Sequence, residues 1–177
     1  LNKLRDKLAV FLQDYHVTVV YPLPFNKWLS WVNPDNGETR GRRKSPRHFT
    51  EYDAFYELYK IKSYLKNPNL SINLVLMDME EYKLLNGWSY DKKRGSTRYD
   101  RVPVGIRRIV KFDRIEDYMQ LVPADLKEDF TVKDFAMAAG VSVEASRYTL
   151  NILNYLEIVK RTGRVKNGYV YNVTEEF

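Results

Sequence analysis

The sequence predicts an α+β protein in two parts, a mixed helix-and-strand segment over residues 1–113 and a compact C-terminal unit over 114–177. Three observations carry that division. Apolar runs at 17–21 and 71–77 read as strands. Apolar residues recurring at steps of three and four over 1–15 and 51–65 read as helices. After Pro123 the pattern becomes helix, glycine turn, helix and basic hairpin.

In the first part, Leu1, Leu4, Leu8, Phe11, Leu12 and Tyr15 form the apolar stripe of an amphipathic helix. The β-branched run 17–21, closed by Pro22 and Pro24, predicts a short strand buried on both faces. Trp28 and Trp31 lie on a strand-like run that ends at Asn33-Pro34-Asp35-Asn36-Gly37, and Asn-Gly in such a turn predicts a hairpin. Over 51–65, Ala54, Leu58, Ile61 and Leu65 form one stripe, which Tyr52, Phe55, Tyr56 and Tyr59 widen into an interior helix. Residues 71–77 form a strand that ends at Asp78, Glu80 and Glu81. From 86 to 113 the chain reads as a long loop with one strand near 109–112.

The C-terminal unit has the sharper signals. Thr131 and Asp134 make a capping box, Gly140 ends the first helix, and Ser142 caps the second. That second helix turns Ala145, Tyr148, Ile152, Leu153 and Leu156 inward and Arg147, Asn151 and Asn154 outward. A hairpin with Lys160, Arg161, Arg164 and Lys166 follows, completing a winged helix-turn-helix. In such a unit the second helix enters the major groove, where Arg147 suits guanine and Asn151 suits adenine. The four hairpin cations suit phosphates. Winged helices also serve as protein-interaction modules, and that reading stays open.

Composition narrows the partners. With 29 lysines and arginines against 23 acids the net charge is +6, and the pI is near 9.3, which favours a polyanion. Arg40, Arg42, Arg43, Lys44 and Arg47 form a run without an acid, either a phosphate-facing loop or a solvated turn. Lys92, Lys93 and Arg94, with Arg98 and Arg101, form a second run, which reads as a solvated surface paired with the flanking Asp91 and Asp100 in preference to a second contact with a common anionic partner. Asp78, Glu80 and Glu81 suit a helix N-terminus better than a metal-dependent nuclease site. His48 with Glu51 and Asp53 has the composition of a metal cluster, but it reads better as a loop histidine beside a helix cap.

The chain has no cysteine, which removes disulfides, thiolate zinc sites and cysteine nucleophiles. Two histidines, His16 and His48, leave little for an imidazole site, so no metal and no cofactor is expected. Mean hydropathy is −0.51, and no run approaches the roughly 20 apolar residues that cross a bilayer. With no secretory leader in view, a cytoplasmic location is expected and no membrane partner. The chain begins inside a predicted helix, so it reads as part of a larger protein.

Several motifs occur together in a fixed order: Pro24-Phe25-Asn26-Lys27-Trp28-Leu29, Asn33-Pro34 to Glu38, Arg43-Lys44-Ser45-Pro46, Asn67-Pro68-Asn69-Leu70, Glu80-Glu81-Tyr82 and Gly87-Trp88-Ser89. With the C-terminal unit they resemble an uncharacterised bacterial family, itself similar to restriction-endonuclease-like proteins of the PD-(D/E)XK type. The resemblance implies that residues 1–15 and 17–21 are the helix and parallel strand that follow the family's acidic motif. That motif would lie before Leu1, so no residue here inherits a catalytic role. The expected function is DNA binding through the C-terminal unit, with duplex DNA as partner and a homodimer allowed. The expected DNA-binding residues are Ser142, Arg147, Asn151, Lys160, Arg161, Arg164 and Lys166, joined by Arg42, Arg43 and Lys44. The alternatives are a metal-dependent endonuclease whose acids lie upstream and a protein-interaction scaffold.

Overall fold

Three long strands run through the chain where the sequence predicts short strands and a loop. In the computed structural model, which describes residues 1–86, 97–166 and 168–174, they are β1 (Val17–Val32), β3 (Leu70–Leu84) and β4 (Thr97–Phe112). A shorter strand, β2 (Thr39–Lys44), completes a sheet of order β2-β1-β3-β4. The Val17 N–H donates to the Asn69 carbonyl where β1 and β3 begin, and the Leu85 N–H donates to the Val32 carbonyl where they end. These two strands therefore run in the same direction, and the chain between them crosses over.

β1 corrects the expectation of a short strand buried on both faces. Val19 and Leu23 are buried while Val20 is exposed, so one face is covered. The strand passes through Pro22 and Pro24, which lie ahead of Trp28, where the register with β2 begins. A proline lacks the ladder donor and is tolerated where a strand edge is uncovered. The expected loop over 86–113 is β4 across its described part. It escapes a strand reading because Pro103 and Gly105, residues typical of loops, stand between the alternating Val102, Val104 and Ile106, and Arg98 to Ile109 are exposed on both faces. Glu81, Tyr82 and Lys83 continue β3 and do not open a helix. The basic run from Thr39 to Lys44 is strand β2 and not a loop.

The chain forms two units that are each discontinuous in sequence, whereas the sequence reading divides at 113–114. One contains Leu1–Tyr21, Glu51–Leu74 and Val110–Phe177; the other contains Pro22–Thr50 and Val75–Ile109. In the first, α1 (Arg5–Phe11) is shorter than expected and buries Leu8, with Leu12 at its C-cap, while Phe11 and Tyr15 stay exposed. The 51–65 helix is three short pieces: a 3-10 turn at Glu51–Ala54, α2 (Phe55–Leu58), and a 3-10 segment at Tyr59–Tyr64 kinked at Ile61. Its narrow stripe is as expected, with Ala54, Phe55, Leu58, Ile61 and Leu65 buried, but Tyr56 and Tyr59 are exposed, so the segment is buried on one side and is not the interior helix expected.

The C-terminal residues share that core, which is why no boundary falls at 113. The Phe112 ring stacks on Tyr118 at 4.2 Å and meets Phe55 edge-on at 6.4 Å. Phe135 meets Tyr52 at 6.1 Å and Phe130 at 6.3 Å. The order is a 3-10 helix at Ile115–Leu121, β5 (Phe130–Thr131), α3 (Val132–Ala139), α4 (Val143–Tyr155), β6 (Val159–Val165) and β7 (Gly168–Val173). β7 lies between β5 and β6, antiparallel to both.

Candidate nucleic-acid interface

Two basic surfaces are built locally, one in each unit. The first is the β1–β2 hairpin. Its turn is held by side-chain oxygens: Asn33 Oδ1 accepts from the Asp35 N–H and Asn36 Oδ1 from the Glu38 N–H, both at 3.0 Å. Gly37 takes a φ of 72°, which glycine adopts at no cost. The register sets Trp28 against Lys44 and Trp31 against Arg40, with an irregularity between Leu29 and Trp31. Gly41 combines a φ of 66° with closeness to the Trp31 indole, where a Cβ would stand 3.3 Å from Cε3.

Pleating then divides the three expected residues between two faces. Arg42 and Lys44 lie over the Trp28 ring, at 5.1 and 5.8 Å from its centroid. Arg43 lies over Trp31 at 5.2 Å. Cation–π contact holds each cation on the indole while leaving its outer side able to meet an anion. Arg42 is also paired, donating to Glu80 Oε1 from two nitrogens at 3.0 and 2.7 Å.

The acids of β3 are consumed by neighbouring cations. Asp78 accepts from Arg107 at 2.6 and 2.7 Å and from Asn26 at 2.8 Å. The Arg107 hydrogen bond, aided by Asn26, holds its carboxyl below the ordinary value against the opposing effect of burial. Glu81 is buried and accepts from Arg101 at 2.7 Å and Lys27 at 3.4 Å, with Arg98 at 3.7 Å and Lys83 at 4.0 Å. Burial pushes this carboxyl up, but the Arg101 hydrogen bond and the surrounding charges outweigh it and leave it below its ordinary value. Among the described residues no three histidine, aspartate or glutamate side chains gather as a metal ion would need. His48 Nδ1 instead meets the Phe25 carbonyl at 3.1 Å.

Charge is unevenly shared between the units. Residues 22–50 and 75–109 hold fourteen lysines and arginines against seven acids, a net +7, while the rest of the chain holds fifteen against sixteen. Part of this excess, Lys92, Lys93 and Arg94, lies outside the described residues.

The second surface is C-terminal. Thr131 Oγ1 accepts from the Asp134 N–H at 3.3 Å, and Asp134 accepts in return from the Thr131 N–H at 2.8 Å. Gly140 has a φ of 65° at the C-cap. Ser142 Oγ accepts from the Ala145 N–H at 3.1 Å. These are the capping contacts that the sequence predicts. The buried side of α4 includes Ser146 and Thr149, whose hydroxyls donate to the carbonyls of Ser142 and Ala145 at 3.0 and 2.9 Å. Back-bonding of this kind lets a hydroxyl occupy a core position.

Arg147 is exposed on α4, as expected. Asn151 is not: it is half-buried, and its Oδ1 accepts from Lys62 Nζ at 3.0 Å. Tyr148 meets Tyr56 and Tyr59 edge-on at 5.1 and 5.5 Å. The face of α4 that carries Tyr148 and Asn151 is therefore packed on the 51–64 segment of the same unit. Lys160, Arg161, Arg164 and Lys166 are all exposed, and none pairs with a carboxylate among the described residues. Arg161 and Arg164 both lie over Tyr169, at 4.1 and 4.7 Å. The sequence reading missed that ring, although tyrosine opposite arginine across a hairpin is a readable signal.

Residues 1–113 match the family model described as Domain of unknown function (DUF8091). An uncharacterized protein of Treponema pallidum (strain Nichols) is 27% identical over 159 residues, covering 86% of this chain. The chain spans 60% of the length of that relative. No solved structure matches.

Proposed function

The chain belongs to the DUF8091 family, and we propose that it binds duplex DNA, with residues 114–177 acting as a winged helix-turn-helix. The observation that carries this is the β6–β7 hairpin. Four exposed cations lack carboxylate partners among the described residues, and two of them are braced on Tyr169. The element order, with β5 joining the hairpin sheet through β7, supports the same reading.

The contacts on α4 determine the kind of binding. With Asn151 bonded to Lys62 and Tyr148 packed on tyrosines, Arg147 is the expected residue of α4 left to reach a base edge. Phosphate contacts supply affinity without sequence information, so the chain binds duplex with little base preference. Arg43 and Lys44 on β2 are the second source of phosphate contacts. The endonuclease alternative gains no support from Asp78, Glu80 and Glu81, each of which is held by an arginine.

Paired substitution tests the proposal. Arg161→Ala with Arg164→Ala should weaken binding to unrelated duplexes alike and flatten the salt slope by about two units, about one per lost phosphate contact. Unchanged affinity and slope would reject the hairpin as the DNA surface and favour a protein-docking role.

A further inference from the structure

Strand β4 closes one side of the sheet, and among the described residues no strand pairs with its outer edge. Val102, Val104 and Ile106 are alternate residues and share a face, where they are 42%, 62% and 65% exposed. A long exposed edge with β-branched residues is a template for another strand.

The sequence of this edge is self-complementary about Val104. When β4 is laid antiparallel to a copy of itself with Val104 on the two-fold axis, Val102 faces Ile106 of the second copy. In the same register Asp100 faces Arg108, an opposite-charge pair, and Pro103 faces Gly105. Arg101 faces Arg107, but each is compensated within its own chain, by Glu81 at 2.7 Å and Asp78 at 2.6 Å. Gly105 supplies an independent observation. Its φ is not in the left-handed region, and a Cβ built on it would meet nothing within 4 Å. Nothing among the described residues demands glycine there, whereas a glycine inside a strand often marks close approach of another backbone. In this register it meets the proline ring.

We propose that β4 pairs antiparallel with β4 of a second copy of this chain, two-fold about Val104, joining two sheets edge to edge. Such pairing is an isologous interface, in which each contact occurs twice. Pro103 withholds one donor, and Gly105 makes room for its ring. The proposal concerns one unit alone and does not depend on DNA binding.

The chain has no cysteine, so a single introduced one reports the register. Val104→Cys would bring the two sulfurs together across the axis, because opposed residues of an antiparallel pair lie about 4.5–5.5 Å apart at Cα, within disulfide reach. Ile106→Cys would leave its two copies four positions apart along the strands. Mild oxidation of the full chain should convert most of Val104→Cys into covalent dimer, and several-fold less of Ile106→Cys. In sedimentation equilibrium the unsubstituted chain should have twice the monomer mass, and Val104→Lys with Ile106→Lys should halve it. Equal cross-linking of the two cysteine variants, or a monomeric unsubstituted chain, would overturn the proposal. A dimer that survives the lysine pair in folded protein would do the same.

Discussion

Glu81 shows how single residues are held in this chain. A buried carboxylate among Lys27, Lys83, Arg98 and Arg101 is tolerable because hydrogen bonds and opposite charge replace its hydration. Removing the charge leaves several cations facing one another. Glu81→Gln should cost about 2 kcal/mol, below the ~3–5 of a fully buried pair because Arg98 and Arg101 reach solvent. The pH dependence has a definite sign. The folded carboxyls of Glu81 and Asp78 titrate below their ordinary values, so as pH falls the unfolded chain takes up protons first. Their contribution is complete at neutral pH and is lost as pH falls from about 4 through the folded values. Urea unfolding of Glu81→Gln beside the unsubstituted chain should therefore show a gap that narrows in acid. A gap of the same size at neutral and acid pH would contradict the assignment.

At the scale of elements, α4 is the informative case. Its cap, its length and its buried stripe follow from contacts between residues three or four apart, so Ser142, Ile152 and Leu153 are legible in the sequence. The Asn33–Gly37 turn and the Thr131–Asp134 box are legible for the same reason. The other side of α4 depends on Tyr56, Tyr59 and Lys62, some ninety residues earlier, and no local pattern announces that packing. Asn151→Ala should therefore leave base preference unchanged in a duplex selection experiment and lower stability by about 1 kcal/mol, the net value of a hydrogen bond partly open to water. A relaxed preference at one base pair would restore the groove-facing assignment. The acids of β3 were illegible as strand residues because their arginines lie 20 to 38 positions away. Strand β4 was hidden by Pro103 and Gly105, which break up the alternating Val102, Val104 and Ile106.

At the scale of the molecule, the net positive charge and the four β6–β7 hairpin cations of the proposed DNA surface belong to different units. The unit that contains the β1–β2 hairpin carries the whole positive excess, whereas residues 114–177 hold eight cations against ten acids. The β6–β7 hairpin is thus a local positive feature within a mildly acidic stretch, and in the proposed reading the β1–β2 hairpin adds phosphate contacts to those of the β6–β7 hairpin. Titration of labelled duplex DNA with the full chain, followed by fluorescence anisotropy at low and moderate salt, tests this most directly. Six phosphate contacts, four from the wing with Arg43 and Lys44, imply a loss of roughly a thousandfold in affinity between about 50 and 200 mM salt, whatever the sequence. Binding that is absent at the lower salt, or unaffected by the change, would contradict the account.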